Sequence, residues 1–161
     1  SKPRQVHKKH HKFNSRMAAL FNDQEQGIIR EAIEAAENLT SGEIRICVEK
    51  TCKEPTLDRA SKYFQKLGMD QTVQKNGVLI YLALEDRKFA IIGDTGINEL
   101  VPVDFWNTTK DTMLMLFKQN RMADGVVTGI QMAGEKLKTY FPRLGDDQNE
   151  LSDDIAFMDG N

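Results

Sequence analysis

The chain has 161 residues, with 22 Lys and Arg against 24 Asp and Glu, a formal charge of −2, and only two cysteines. That length suits one domain able to bury a continuous core without disulfides or structural zinc. No apolar run approaches the ~20 residues that span a bilayer, and the near-neutral body excludes a nucleic-acid surface on the domain itself.

The charge is unevenly spread. Residues 1–16, SKPRQVHKKHHKFNSR, hold six bases, all three histidines and no acid, whereas residues 145–161 hold six acids and no base. Residues 1–19 read as a disordered basic head, a tail or tag ahead of a start at Met17, with a basic arm for nucleic acid or anionic lipid as the alternative. Residues 20–144 form the expected folded domain, followed by an acidic segment at 145–161. A cytoplasmic monomer is the default expectation, with no membrane span and a protein partner the sequence does not identify.

From Asn22 to Leu39, Ile28, Ile29, Ala32, Ile33, Ala36 and Leu39 recur at helical spacing, with Glu31, Glu34 and Glu37 expected outward. Asn22 and Glu25 suit a capping box, and Thr40-Ser41-Gly42 is expected to stop the helix through a positive φ at Gly42. EIRICVE (43–49) alternates, with Ile44, Ile46 and Val48 on one face, and reads as a strand, placed at an edge. After Pro55 a second helix is expected to bury Leu57, Ala60, Phe64 and Leu67 before Gly68. GVLIYLAL (77–84) is apolar throughout, as in a strand covered on both faces, and Glu85-Asp86 joins it to KFAIIG (88–93) as an antiparallel hairpin.

Two further helices are expected, near 104–119 and 123–140. The first should bury Phe105, Trp106, Thr109, Met113, Leu116 and Phe117, and the second Val126, Val127, Ile130, Ala133 and Leu137. Gly125 and Gly129 are read as close helix–sheet packing. IAF (155–157) is expected to add a short edge strand. This order predicts an α/β fold: a three-layer α/β/α sandwich around a small mixed central sheet of about four strands.

Most catalytic patterns fail on spacing. A Cys-based phosphatase needs Arg six places after Cys, but Cys47 is followed there by Lys53 and Cys52 by Asp58. No histidine lies in the body to serve a nucleophile. Gly93-Asp94-Thr95-Gly96 lacks the Lys-Ser/Thr of a phosphate-binding Walker loop and the second Asp of an aspartyl nucleophile. What it offers is hard oxygen donors at a strand end, Asp94, Asn98 and Glu99. Those fall short of the ~6–8 oxygens that Ca²⁺ takes, and no EF-hand spacing exists. GDDQNELSDD (145–154) supplies Asp146, Asp147, Glu150, Asp153 and Asp154, with Asn149 between them. Composition favours a solvated tail, while five like charges without a base favour a bound cation.

SGEIRICVE, NGVLIYLALEDRKFAIIGDTGINE, ADGVVTGI and the closing GDDQNELSDDI resemble the TPM-domain family in its short stand-alone bacterial form, over about residues 20–157. The resemblance implies the same α/β/α sandwich and divalent-cation binding, chiefly Ca²⁺, at strand-end loops; the expected cofactor is Ca²⁺ or Mg²⁺, one or two ions held between the loop after the third strand and the acidic segment. For some plant relatives it implies acid phosphatase activity and a part in photosystem repair. Carried over by position, it points to Asp94, Gly96 and Glu99, then to Asp86 in the hairpin and Asp124 at the last helix's start. Read from the residues alone, Asp86 is a plain turn residue and Asp124 a plain N-cap. The expected function is a metal-responsive binding module, with a metal-assisted phosphatase as the alternative and no catalytic residue assigned.

Overall fold

The computed structural model describes residues 20–145 and 151–158. Helix α1 spans Asp23–Glu37, opened by a reciprocal capping box in which the Asn22 side chain accepts from the Glu25 amide at 2.8 Å and Glu25 accepts from the Asn22 amide at 2.9 Å. Strand β1 (Glu43–Glu49) leads into α2 (Thr56–Lys66), which ends before Gly68 in the left-handed conformation at φ 71°. Strands β2 (Gly77–Ala83) and β3 (Lys88–Gly93) form the expected hairpin. One helical turn, α3 (Thr95–Asn98), precedes α4 (Asn107–Lys118) and α5 (Met122–Tyr140), and β4 (Ala156–Phe157) closes the described chain.

The sheet runs β3-β2-β1-β4, with β1 parallel to both β2 and β4 and β2 antiparallel to β3. Alternation along the strands divides the core into two halves. Ile44, Ile46, Val48, Val78, Ile80 and Leu82 meet α1, α4 and α5 on one face. Cys47, Leu79, Tyr81 and Ala83 meet Ala60, Tyr63 and Phe64 of α2 on the other. These are the three layers of a mixed α/β/α sandwich.

Four expectations are corrected. Strand β1 is interior, because β4 takes the edge, and its second face is covered by α2. Leu57 is 58% exposed, and Tyr63 takes its place in the α2 stripe. Gly42 has no positive φ; a Cβ there would lie 3.1 Å from the Leu137 side chain and 3.4 Å from the Asn76 carbonyl oxygen, so the position is tightly packed and not a left-handed cap. Gly125 and Gly129 face α4 and not the sheet, where added Cβ atoms would lie 2.4 Å from Phe117 and 2.5 Å from Met113 Sδ.

Candidate metal centre

Helix α1 buries Ile29 and Ile33 at spacing four, and the next position in that row is Glu37. Its carboxyl is therefore carried inward and is only 4% exposed, against the expectation that it faces solvent. It also sits in the last turn of α1, where the helix dipole disfavours negative charge and no basic residue offsets it. The chain then reverses tightly. Ser41 N–H donates to the Phe141 carbonyl at 2.9 Å, Gly42 N–H to Thr40 Oγ1 at 3.1 Å, and Glu43 N–H to the Asn76 carbonyl at 3.3 Å. Glu43 begins β1 at 2% exposure, beside Glu37.

The third member arrives from the C-terminal segment. Ala156 and Phe157 pair with Cys47 and Val48, which draws the residues before β4 along the β1 edge, and the Asp153 carboxyl comes within hydrogen-bonding reach of Glu37. Among the described residues, no donor group hydrogen-bonds to Glu37 Oε1 or Oε2. The neighbouring cation does not resolve this, because Arg143 Nη1 donates at 2.9 Å to the backbone carbonyl of Glu37. Burial above all, then the contacts with Asp153 and Glu43 and their charge, push Glu37 up to about 11. That direction favours the protonated form of Glu37.

Glu49, at the other end of β1, shows what complete satisfaction looks like. Only 1% exposed, it accepts from Arg59 Nε at 2.9 Å and Nη2 at 3.2 Å, from the Tyr63 hydroxyl at 2.7 Å, and from the Tyr81 hydroxyl. Burial pushes its carboxyl up, but the bonds from Arg59, Tyr81 and Tyr63 prevail and hold it below the ordinary value. Burial raises both carboxyls, but at Glu49 the donors outweigh it, whereas at Glu37 it prevails. Cys47 and Cys52 are free and buried, and burial pushes the Cys47 thiol up, so it is packing and not a nucleophile.

The residues expected from sequence fall in several places. Asp94 caps α3, with Oδ1 accepting from Thr95 N–H at 2.7 Å and Oδ2 buried without a donor. Asn98 donates to the Gly93 carbonyl at 3.0 Å, and Glu99 caps the other end of α3 and is exposed. Gly96 is selected by contact, since a Cβ would lie 2.2 Å from the Gln74 carbonyl oxygen. Asp86 Oδ2 accepts from Cys52 N–H at 2.7 Å in the hairpin, Asp124 pairs with Arg121 at 3.0 Å, and Asp154 pairs with Arg30 at 3.1 Å. Asp146, Asp147, Asn149 and Glu150 lie outside the described residues. Asp94 follows β3 and Asp153 precedes β4, so they stand at opposite edges of the sheet, three strand spacings or about 14 Å apart.

Among the described residues no group of three or more His, Cys, Asp or Glu side chains is arranged as placed to hold a metal ion. No described helix is long and apolar enough to cross a membrane. Glu37 and Glu43 are buried and Asp153 is half-buried, and their carboxyl oxygens are hard donors by type.

The profile of the TPM-domain family matches residues 15–136, and the chain belongs to that family. Among solved structures it is similar to the BA42 protein from the psychrophilic bacterium Bizionia argentinensis, at 47% identity and a TM-score of 0.79 over 83% of this chain and 92% of that one. The N-terminal domain of the cg2496 protein from Corynebacterium glutamicum shares the fold at 15% identity and a TM-score of 0.57, over 71% of this chain and 72% of that one. Comparison with curated proteins gives no match.

Proposed function

We propose that the protein is a divalent-cation-binding module in which Glu37, Glu43 and Asp153 hold the ion, Ca²⁺ or Mg²⁺ by donor type. The observation that carries this reading is the Glu37 carboxyl, 4% exposed and without a hydrogen-bond donor on either oxygen among the described residues. A proton satisfies it in the metal-free state, and a cation is the other species that does so. Three carboxylates carry about six oxygens between them, the lower limit for Ca²⁺, and Asp146, Asp147 and Glu150 lie close enough in sequence to Asp153 to supply more. Asp94, with its own donorless Oδ2, is the place for a second ion, assisted by Asn98 and Glu99.

Binding would tie the C-terminal segment to the body. Strand β4 is two residues long and its ladder with β1 is correspondingly short. A cation joining Asp153 to Glu37 and Glu43 adds a second attachment, coupling the seating of β4 to cation concentration. The same burial favours binding over phosphoryl chemistry, because a metal-assisted phosphatase needs its ion open to a phosphate and to water.

Calcium titrated calorimetrically into metal-free protein, in two buffers of different ionisation enthalpy near pH 7, tests the assignment. The expected result is saturable binding with release of about one proton per ion, since the ion displaces the proton on Glu37. Binding without proton release, or no binding at millimolar Ca²⁺ and Mg²⁺, overturns it.

A further inference from the structure

At the opposite end of the sheet a cavity of about 380 Å³ opens between the β2–β3 hairpin and the C-terminal half of α4. Its floor is apolar: Leu84, Phe89 and Phe117 line it, with the Phe89 and Phe117 rings edge to face at 5.1 Å. Its rim is cationic, made by Arg87, Lys88 and Lys118, and no acid lines it. Lys88 Nζ donates to the Cys52 carbonyl at 3.2 Å, whereas Arg87 and Lys118 take no part in an ion pair among the described residues. Arg87 sits at φ 53°, a left-handed conformation that Gly or Asn adopts with less strain. Placing Arg there sets a guanidinium at the mouth of an apolar pocket.

We propose that this pocket binds a small amphipathic anion, one apolar alkyl or aryl tail carrying a terminal carboxylate or phosphate. The volume lies at the lower end of small-ligand sites, about 300–1,000 Å³, which excludes a folded partner as occupant. The tail covers the Phe89 and Phe117 rings, and the head meets Arg87 and Lys118, whose charges lack a counter-ion among the described residues. The guanidinium fork suits either head group. This site shares no residue with Glu37, Glu43 or Asp153, so each stands or falls alone.

The test is an amide-shift titration of the full chain with decanoate, decyl phosphate and decyltrimethylammonium, each below its micelle concentration. Decanoate or decyl phosphate should shift amides at 84–89 and 117–122 saturably, and whichever binds more tightly identifies the head group. The cationic amphiphile should bind at least ten-fold more weakly. The double variant R87E/K118E, both positions exposed, should keep its thermal midpoint and lose at least ten-fold in affinity for the anion. No saturable shift with either anion, equal binding of the cationic amphiphile, or undiminished binding by the double variant overturns the proposal.

Discussion

Replacing Glu37 with Gln removes the titratable proton from the three-carboxyl cluster while keeping the shape of the side chain and two N–H donors for Asp153 and Glu43. In the unfolded chain Glu37 ionises near its ordinary 4.5, and in the fold it is pushed up to about 11. Because the folded value is raised, the stability this group contributes is complete below pH 4.5 and is lost progressively as pH rises toward 11. Between pH 6 and 8 the unfolded chain has released a proton that the folded chain retains, which costs about 1.4 kcal/mol per pH unit, or about 2.7 kcal/mol over the interval. A domain of this size is stable by about 5–15 kcal/mol, so the effect is large enough to resolve. Urea unfolding followed by circular dichroism at pH 6, 7 and 8, with chelator present, gives both stability curves. Wild type should lose about 2–3 kcal/mol relative to Glu37→Gln across the interval, and excess Ca²⁺ should flatten the wild-type slope. Parallel curves for the two proteins would mean that Glu37 is already ionised in the fold, and the shared proton would be ruled out.

Other expectations concern the scaffold and the tether. Glu49→Ala should cost about 3–5 kcal/mol at neutral pH, because it strands Arg59 and two tyrosine hydroxyls. Since the Glu49 carboxyl is held below its ordinary value, that contribution is present above about pH 4.5 and disappears as pH falls further, so the difference from wild type should shrink in acid-unfolding curves. Gly96→Ala drives a Cβ to 2.2 Å from a backbone carbonyl that cannot rotate away, and should lower stability in a thermal melt by about 1–3 kcal/mol or more. Asp153→Asn should reduce Ca²⁺ affinity at least ten-fold by calorimetry while moving the metal-free melting temperature little, since an amide still bonds to Glu37.

The elements were legible where one local rule acts without competition. The Asn22–Glu25 box, the hairpin around Glu85-Asp86, the stop at Gly68 and the two-residue strand within 155–157 all appear where the residues place them. Errors arose where tertiary packing chooses the face. The 43–49 segment alternates as a half-exposed edge strand would, yet docking of β4 and α2 makes it interior, a long-range pairing that alternation does not encode. Glu37 was misplaced by charge: its identity argues for solvent, while the row Ile29–Ile33–Glu37 points it at the core. Position outweighed residue type, and that row was the available signal. Nothing near Glu37 in the sequence signals that Asp153, 116 positions later, comes beside it, because the parallel β1–β4 ladder brings it there. Asp94, read from the sequence as an oxygen donor on a strand-end loop, does follow β3, but the turn it caps is helical and lies at the edge of the sheet away from β4.

The most direct test of cation binding at the C-terminal end of α1 is an amide-shift titration of the metal-free chain with Ca²⁺. Amides at 36–44 and 151–156 should move together and saturate with a common affinity, while those of the Cys52–Asp86 contact stay fixed. Saturation elsewhere with 36–44 and 151–156 unmoved would contradict the assignment of Glu37, Glu43 and Asp153 as the site.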